Sequence, residues 1–302
     1  MWFKNVIFYR LQDGFNLPLA DLQDKLAEQA FSPCRSQEIS RYGWVSPCNE
    51  LDNELAHNVQ GFIMIAARKE EKILPAGVIK EALQERVAKI EQERKVFKKE
   101  KDQLKDEIIL DLLPRAFSRH QQTFALIAPQ QGWIAVDSSS TARAEALLSH
   151  LRGSLGSLPV TRLDVQHSPS AVLSDWLSEP TSQPAAFTTL DECELRDSVT
   201  EGGVIRIKGQ QLEDSEFIAH LEAGKRVVKL ALEWDQQLRF LLQDDLAIKR
   251  LKLSEQLQEQ MATESSDDAI AQYDADMVQM GLEFNRLLPE LLAVFGGELQ
   301  RQ

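Results

Sequence analysis

Apolar and polar positions alternate from Trp2 to Arg10, a segment that carries charge and reads as a strand. The spacing from Leu19 to Ala30 is helical. A short strand is expected around Gly43-Trp44-Val45, and Gly61-Phe62-Ile63-Met64-Ile65-Ala66-Ala67-Arg68 reads as another. Pro75 sits where a helix can begin, and Val78 to Leu113 has almost no breaker, which predicts one or two long charged helices ended by Pro114. Within that stretch Leu83, Ile90, Phe97 and Leu104 recur every seventh residue, flanked by Val87 and Ile108 and interrupted by Arg94 and Lys101. So narrow an apolar seam suits a hairpin packed on its own chain and an arm meeting a copy of itself equally well.

Beyond Pro114, Gln122 to Ile127 and Gly132 to Asp137 predict paired strands around a Pro129-Gln130-Gln131-Gly132 turn. A helix over Thr141 to Arg152, capped by Ser140 or Thr141, follows. Ser, Pro and Thr enrich Gly153 to Ala186, which reads as a connecting region of doubtful order. Gly202-Gly203-Val204-Ile205-Arg206-Ile207-Lys208 predicts a strand, Ser215 to Ala223 a helix, and Arg226 to Trp234 with Leu238 to Leu242 a hairpin. In Ile205-Arg206-Ile207-Lys208 and Val228-Lys229-Leu230 the cations fall on one face and the branched residues on the other, so a basic sheet face is expected. An acidic tail from Glu255 to Asp276 closes with an apolar helix over Phe284 to Phe295 and a Gly296-Gly297 stop. The class is α+β, with mixed or antiparallel sheets.

Composition adds three constraints. At 302 residues, with 43% hydrophobic and 27% charged side chains, the chain is long enough for two or three domains and folds by burial alone. Cys34, Cys48 and Cys193 are too few and too widely spaced for a disulfide framework, which fits a reducing cytosol. The N-terminal segment carries charge and does not read as a secretion signal, and no apolar run approaches the roughly 20 residues of a spanning helix. A net charge of −13 argues against nucleic acid only if it is uniform. It is not: residues 61–125 hold 14 Lys and Arg against 11 acids, a net of +3, whereas residues 254–302 hold 2 against 10, a net of −8.

Candidate chemistry is sparse. His57, His120, His150, His167 and His220 are dispersed, with no His-Glu-x-x-His and no Cys-x-x-Cys, so no structural zinc is expected. Gly153-Ser154-Leu155-Gly156-Ser157 lacks a phosphate-loop lysine and reads as a turn. Glu70-Glu71-Lys72 after an apolar strand is the one nuclease-like pattern, with Asp52 as the nearest upstream aspartate. Asp244-Asp245, Asp267-Asp268 and Asp274-x-Asp276 read as solvated or capping residues, and no metal ligand is assigned. The pairs and triplets Arg68-Lys69, Lys98-Lys99-x-Lys101, Arg115-x-x-x-Arg119, Lys225-Arg226 and Lys249-Arg250-x-Lys252 are each, taken singly, ordinary surface. Phe117, between Arg115 and Arg119, is either core or a finger flanked by cations.

Longer words decide more. Trp2-Phe3-Lys4-Asn5, Ala67-Arg68-Lys69-Glu70-Glu71-Lys72-Ile73-Leu74-Pro75, Leu112-Leu113-Pro114-Arg115-Ala116-Phe117-Ser118-Arg119, Gly156-Ser157-Leu158-Pro159, Gly202-Gly203-Val204-Ile205-Arg206, Glu222-Ala223-Gly224-Lys225 and Leu230-Ala231-Leu232-Glu233-Trp234 stand in order over essentially the whole length. In them the chain resembles the RdgC family of bacterial recombination-associated proteins. The resemblance implies a ring-shaped homodimer with an α+β body and protruding helical tips around a basic hole. Non-specific binding of double-stranded DNA, nucleoid association and restraint of the recombinase RecA would follow, with no cofactor, small-molecule substrate or membrane involved. The segments then divide as residues 1–75 with 115–170 (body), 76–114 (tip) and 171–302 (base). Phe117 matches the family's aromatic finger and Gln210 a polar residue implicated with it. Relatives can carry a second lysine where this chain has Gly209, which leaves Lys208 and Arg206 as the cations of that strand. Arg68, Lys69, Lys72, Arg115 and Arg119 are expected on the inner wall, and Leu83, Ile90, Phe97 and Phe117 at the dimer interface. A metal-dependent nuclease using Glu70 and Lys72, and a scaffold acting through the helical arm, are the competing functions.

Overall fold

The computed structural model describes residues 2–12, 18–197, 202–210, 212, 215–263 and 268–299. Its strands are β1 (Val6–Leu11), β2 (Ser40–Val45), β3 (Ala56–Val59), β4 (Phe62–Ile73), β5 (Phe117–Ala128), β6 (Trp133–Asp137), β7 (Val160–Arg162), β8 (Phe187–Arg196), β9 (Val204–Lys208), β10 (Arg226–Trp234), β11 (Leu238–Gln243) and β12 (Ile248–Leu253). All join one sheet in the order β2-β4-β5-β6-β1-β12-β11-β10-β8-β9, with β3 beside β4 and β7 beside β1. Every pairing is antiparallel. The helices are α1 (Leu19–Ala27), α2 (Ala76–Glu91), α3 (Lys98–Leu112), α4 (Thr141–Leu155), α5 (Pro169–Ser178), α6 (Ser215–Glu222), α7 (Glu255–Thr263) and α8 (Ala269–Val294).

Alternation along β1 feeds two cores. Val6 and Phe8 enter one, Ile7, Tyr9 and Leu11 the other. The first core runs the length of the sheet under α5 to α8, through Leu173, Trp176, Leu221, Leu257, Phe284, Leu287 and Leu291. Each such side chain contributes about 1.5–3 kcal/mol by burial. Phe8 meets Trp133 and Phe284 edge-on at 5.9 and 5.3 Å, and Trp234 Nε1 donates to Glu290 Oε2 at 2.7 Å, fastening α8 to the sheet. The second core lies under α1 and α4 only, through Leu22, Leu26, Leu147 and Leu151. On that side β8 to β12 have no helical cover among the described residues, so half of one sheet face is open.

Several expectations are corrected. The Ser/Pro/Thr-rich stretch is built into the fold: β7 pairs with β1, and α5 buries Leu173, Trp176 and Leu177, because Ser168 and Pro169 start a helix at the position Pro favours. Gly153 lies inside α4, and only Gly156, at φ +80°, makes the turn. Ser140 occupies the N-cap of α4 without a side-chain cap bond; its N–H donates to Ser138 Oγ instead. Of the alternatives for the breaker-free stretch, the structure shows two helices separated at residues 92–97 and packed as a hairpin that buries Val87 and Ile108 and half-buries Leu83, Ile90 and Leu104. The C-terminal helix begins at Ala269, fifteen residues before the expected start, and ends ahead of Gly296 and Gly297, both at positive φ.

Candidate nucleic-acid interface

Strand alternation decides which side chains reach the open face. In β9, Ile205 and Ile207 pack on the first core, so Arg206 and Lys208 point the other way, both exposed. In β8, Cys193 and Leu195 are core, which turns Glu192, Glu194 and Arg196 outward. Lys229 of β10, Arg239 of β11 and Lys249 and Lys252 of β12 share that side by register. A stripe of cations therefore crosses five adjacent strands, interleaved with a few carboxylates.

Glu194 organises this stripe. It is 5% exposed, and its Oε2 accepts from Arg206 Nε at 2.9 Å and Lys229 Nζ at 3.0 Å while Oε1 accepts from Arg196 Nη2 at 3.0 Å. The register explains the contact, since Arg206 and Lys229 lie directly opposite Glu194 on its two neighbours. Burial works to raise its pKa, and the hydrogen bonds from Arg206, Lys229 and Arg196 more than reverse this, holding it at about 2. Alongside, Glu192 accepts from Arg250 Nη2 at 2.7 Å, and that bond is the main cause of its lowered pKa. Lys249 donates to the Ser139 carbonyl at 3.1 Å, and partial burial pulls its pKa down. Glu194 faces three cations, and although Glu192 and Glu233 each hold one arginine (Arg250 and Arg239), cations still outnumber carboxylates on this face of a chain of net charge −13.

The second group of expected wall residues sits on β4 and β5, which pair from Ile63↔Ile127 out to Ile73↔Phe117 and carry the helical hairpin. Alternation divides it. Ala67 belongs to the second core, so Lys69 continues that face with Glu71, Arg119 and Phe117, and Glu71 pairs with both Lys69 (3.6 Å) and Arg119 (3.8 Å). Arg68 and Lys72 take the opposite face with Glu70, Arg68 lying 5.6 Å over the Phe31 ring. Arg115 is exposed in the short 3-10 turn Leu113–Arg115. Six strands separate β5 from β9, about 34 Å at the usual strand spacing, so the two cationic groups do not meet within one chain.

Phe117 is not core: 86% of it is exposed at the start of β5, opposite the half-exposed Ile73. Phe97, at the turn of the helical hairpin, is likewise exposed, whereas Leu83 and Ile90 are shared with the hairpin's own interior. Gln210 is exposed in the turn after β9, where Gly209 adopts φ +71°. It borders a cavity of about 400 Å³ lined also by Trp176, Gln183, Asp191 and Leu212.

The nuclease-like carboxylate is committed elsewhere. Glu70 is 5% exposed; Oε1 accepts from Ser118 Oγ at 2.6 Å and Oε2 from the Cys34 N–H at 2.7 Å, and these two bonds lower its pKa. Asp52 lies in the loop ahead of β3, beside His57 at 3.7 Å. No helix among the described residues is long and apolar enough to cross a membrane.

A family model described as "Putative exonuclease, RdgC" matches residues 1–298. The chain belongs to the RdgC family. Relatives named Recombination-associated protein RdgC include one from Pseudomonas aeruginosa, 49% identical over 99% of this chain and 98% of that protein. Others come from Pseudomonas syringae pv. tomato, at 48% with the same coverage, and Aeromonas hydrophila, at 47% over 99% of both chains. The family membership expected from the long sequence words is thus shown, and it attaches the chain to DNA recombination.

Sequence reasoning missed Glu194 and Arg196 because it assigned no strand to Phe187–Arg196. The signal was present: Glu192-Cys193-Glu194-Leu195-Arg196 alternates strictly. Lys249 and Lys252 were seen as a basic cluster, but not as part of the strand that aims them at the open face.

Proposed function

We propose that the chain binds double-stranded DNA through its phosphates, without reading base sequence, as a ring-shaped homodimer that restrains RecA by occupying the duplex at the nucleoid. The observation carrying this reading is the open, cation-rich sheet face on an otherwise acidic chain. Its cations outnumber its carboxylates, are ordered by strand pairing and by Glu194, and are spread over a surface rather than gathered in a cleft, which suits a charged rod better than a small substrate. Arg206, Lys208, Lys229 and Lys249 supply phosphate contacts. Lys69, Arg115, Arg119 and Phe117 lie at the base of the helical hairpin, where a second copy brings its own face within reach of the same duplex. Family membership supports the link to recombination.

Anisotropy titration of a labelled 30-base-pair duplex at rising salt tests the proposal. With Z phosphates engaged, log affinity falls with log salt at a slope of about −0.9Z, and six to ten contacts weaken binding by roughly 10³–10⁵ between 50 and 200 mM salt. Salt-independent or strongly sequence-selective binding overturns it, and a monomer by sedimentation removes the ring. The family description keeps a nuclease in view. The hydrogen bonds holding Glu70 argue against that carboxylate as a metal ligand, and DNA left intact by the protein with Mg²⁺ or Mn²⁺ eliminates the Glu70–Lys72 version.

A further inference from the structure

The loop ahead of β3 and the strand itself bring Asp52, Glu54 and His57 together, one ligand atom of each within 4.8 Å of the others. His57 is only 9% exposed, and its Nε2 is bonded to Asp274 Oδ1 of α8 at 2.6 Å. The other ring nitrogen, Nδ1, has no hydrogen bond among the described residues; it faces Asp52 Oδ2 at 3.7 Å. With Asp274 accepting the hydrogen bond from Nε2–H, Nδ1 presents its lone pair to the two loop carboxylates. This carboxylate–imidazole pairing is the one that orients histidine ligands toward metal ions. Ligand atoms around a single tetrahedral ion at ~2.0–2.2 Å lie about 3.3 Å apart, so small side-chain rotations suffice.

Charge points the same way. Asp52 and Asp274 form ion pairs only with His57, and Glu54 forms none; among the described residues none of the three carboxylates has a lysine or arginine partner. Even with the imidazole protonated, three carboxylates around it leave an excess of two negative charges at a half-buried spot. The neighbouring Cys48 thiol registers this field: burial first, then Asp52, Asp274 and Glu54, push it up to about 11.

We propose that Asp52, Glu54 and His57 form a binding site for one divalent transition-metal ion of the Zn²⁺ class, with Asp274 positioning the histidine and water completing the coordination. The mixed imidazole and carboxylate donors favour such an ion over Mg²⁺. Bound there, the ion clamps the Asp52–His57 segment to α8, joining elements more than 200 residues apart in the chain. This proposal stands independently of DNA binding.

The test is calorimetric titration of the chelator-treated, dialysed full chain with ZnCl₂, with MgCl₂ as the comparison, and a Co²⁺ absorption spectrum as a second readout. One Zn²⁺ per chain, a Tm that rises with Zn²⁺, and Co²⁺ bands of a site with nitrogen and oxygen ligands are expected. Asp52→Asn and Glu54→Gln lie in an exposed loop and leave the fold intact; each lowers affinity at least tenfold, and together they abolish binding. Asp274→Asn keeps the stoichiometry but weakens affinity by about 10–100-fold. No saturable binding by the wild-type chain, Mg²⁺ binding as tight as Zn²⁺, or Zn²⁺ binding unchanged in the Asp52→Asn/Glu54→Gln chain overturns the proposal.

Discussion

Replacing Glu194 by Gln removes one negative charge from the centre of the cationic stripe while keeping its shape. A carboxylate lowered from 4.5 to about 2 corresponds to an upper bound of about 3 kcal/mol of stability at neutral pH. Arg196 and Arg206 are more than half exposed and water screens them, so about 1–2 kcal/mol is the working figure, or roughly 2–6 °C in Tm for a chain of this size. Because the folded-state pKa is depressed, this stability is present above the unfolded value near 4.5 and lost as pH falls toward 2. The wild-type advantage over the Gln variant, read by thermal unfolding across pH, is therefore full at pH 7, shrinks below about 4.5 and is gone near 2. The same variant frees Arg196, Arg206 and Lys229 for phosphate, so duplex affinity at low salt rises a few-fold with a steeper salt slope. An unchanged Tm at pH 7, or a gap that persists at pH 2, refutes the role of Glu194; weaker DNA binding by a folded variant refutes the placing of this face against the duplex.

Phe117→Ala removes a ring that touches little of its own chain, so thermal unfolding should shift by no more than about 0.5 kcal/mol while DNA binding or dimer closure weakens; a large loss of stability would return Phe117 to the core. Gly281→Ala should destabilise by about 1–3 kcal/mol in denaturant titration although alanine is the better helix former, because a Cβ there falls 2.7 Å from the buried Phe62 ring. Trp234→Phe deletes the indole N–H that meets Glu290 at 2.7 Å, and should cost about 1–3 kcal/mol by leaving that carboxylate short of its donor.

Local periodicity carried what could be read without a structure. The alternation in Trp2–Arg10, Val204–Lys208 and Arg226–Trp234 became β1, β9 and β10, because a strand's side chains must alternate whatever it pairs with; β9 has the expected faces, whereas β1 is buried on both sides and a bulge in β10 puts Val227 rather than Val228 in the core. The helical spacing at Leu19 and Thr141 became α1 and α4, and the long sequence words identified the family. Elements whose composition imitates loops were lost: α5 hides in a Ser/Pro-rich stretch, and β8 is short of branched residues.

What no local pattern contains is the pairing. The seam at Leu83, Ile90 and Leu104 fits a hairpin and a coiled coil alike, and only the break at residues 92–97 made it a hairpin. Arg206 and Lys229 are 23 residues apart and flank Glu194 only because β9 and β10 bind opposite edges of β8. His57 and Asp274 lie 217 apart and touch because α8 packs under β3. Sequence dictates which face of each element is apolar, since that depends on near neighbours; which charged faces end up adjacent depends on how buried faces far apart in the chain cover one another, and that the packed core alone decided.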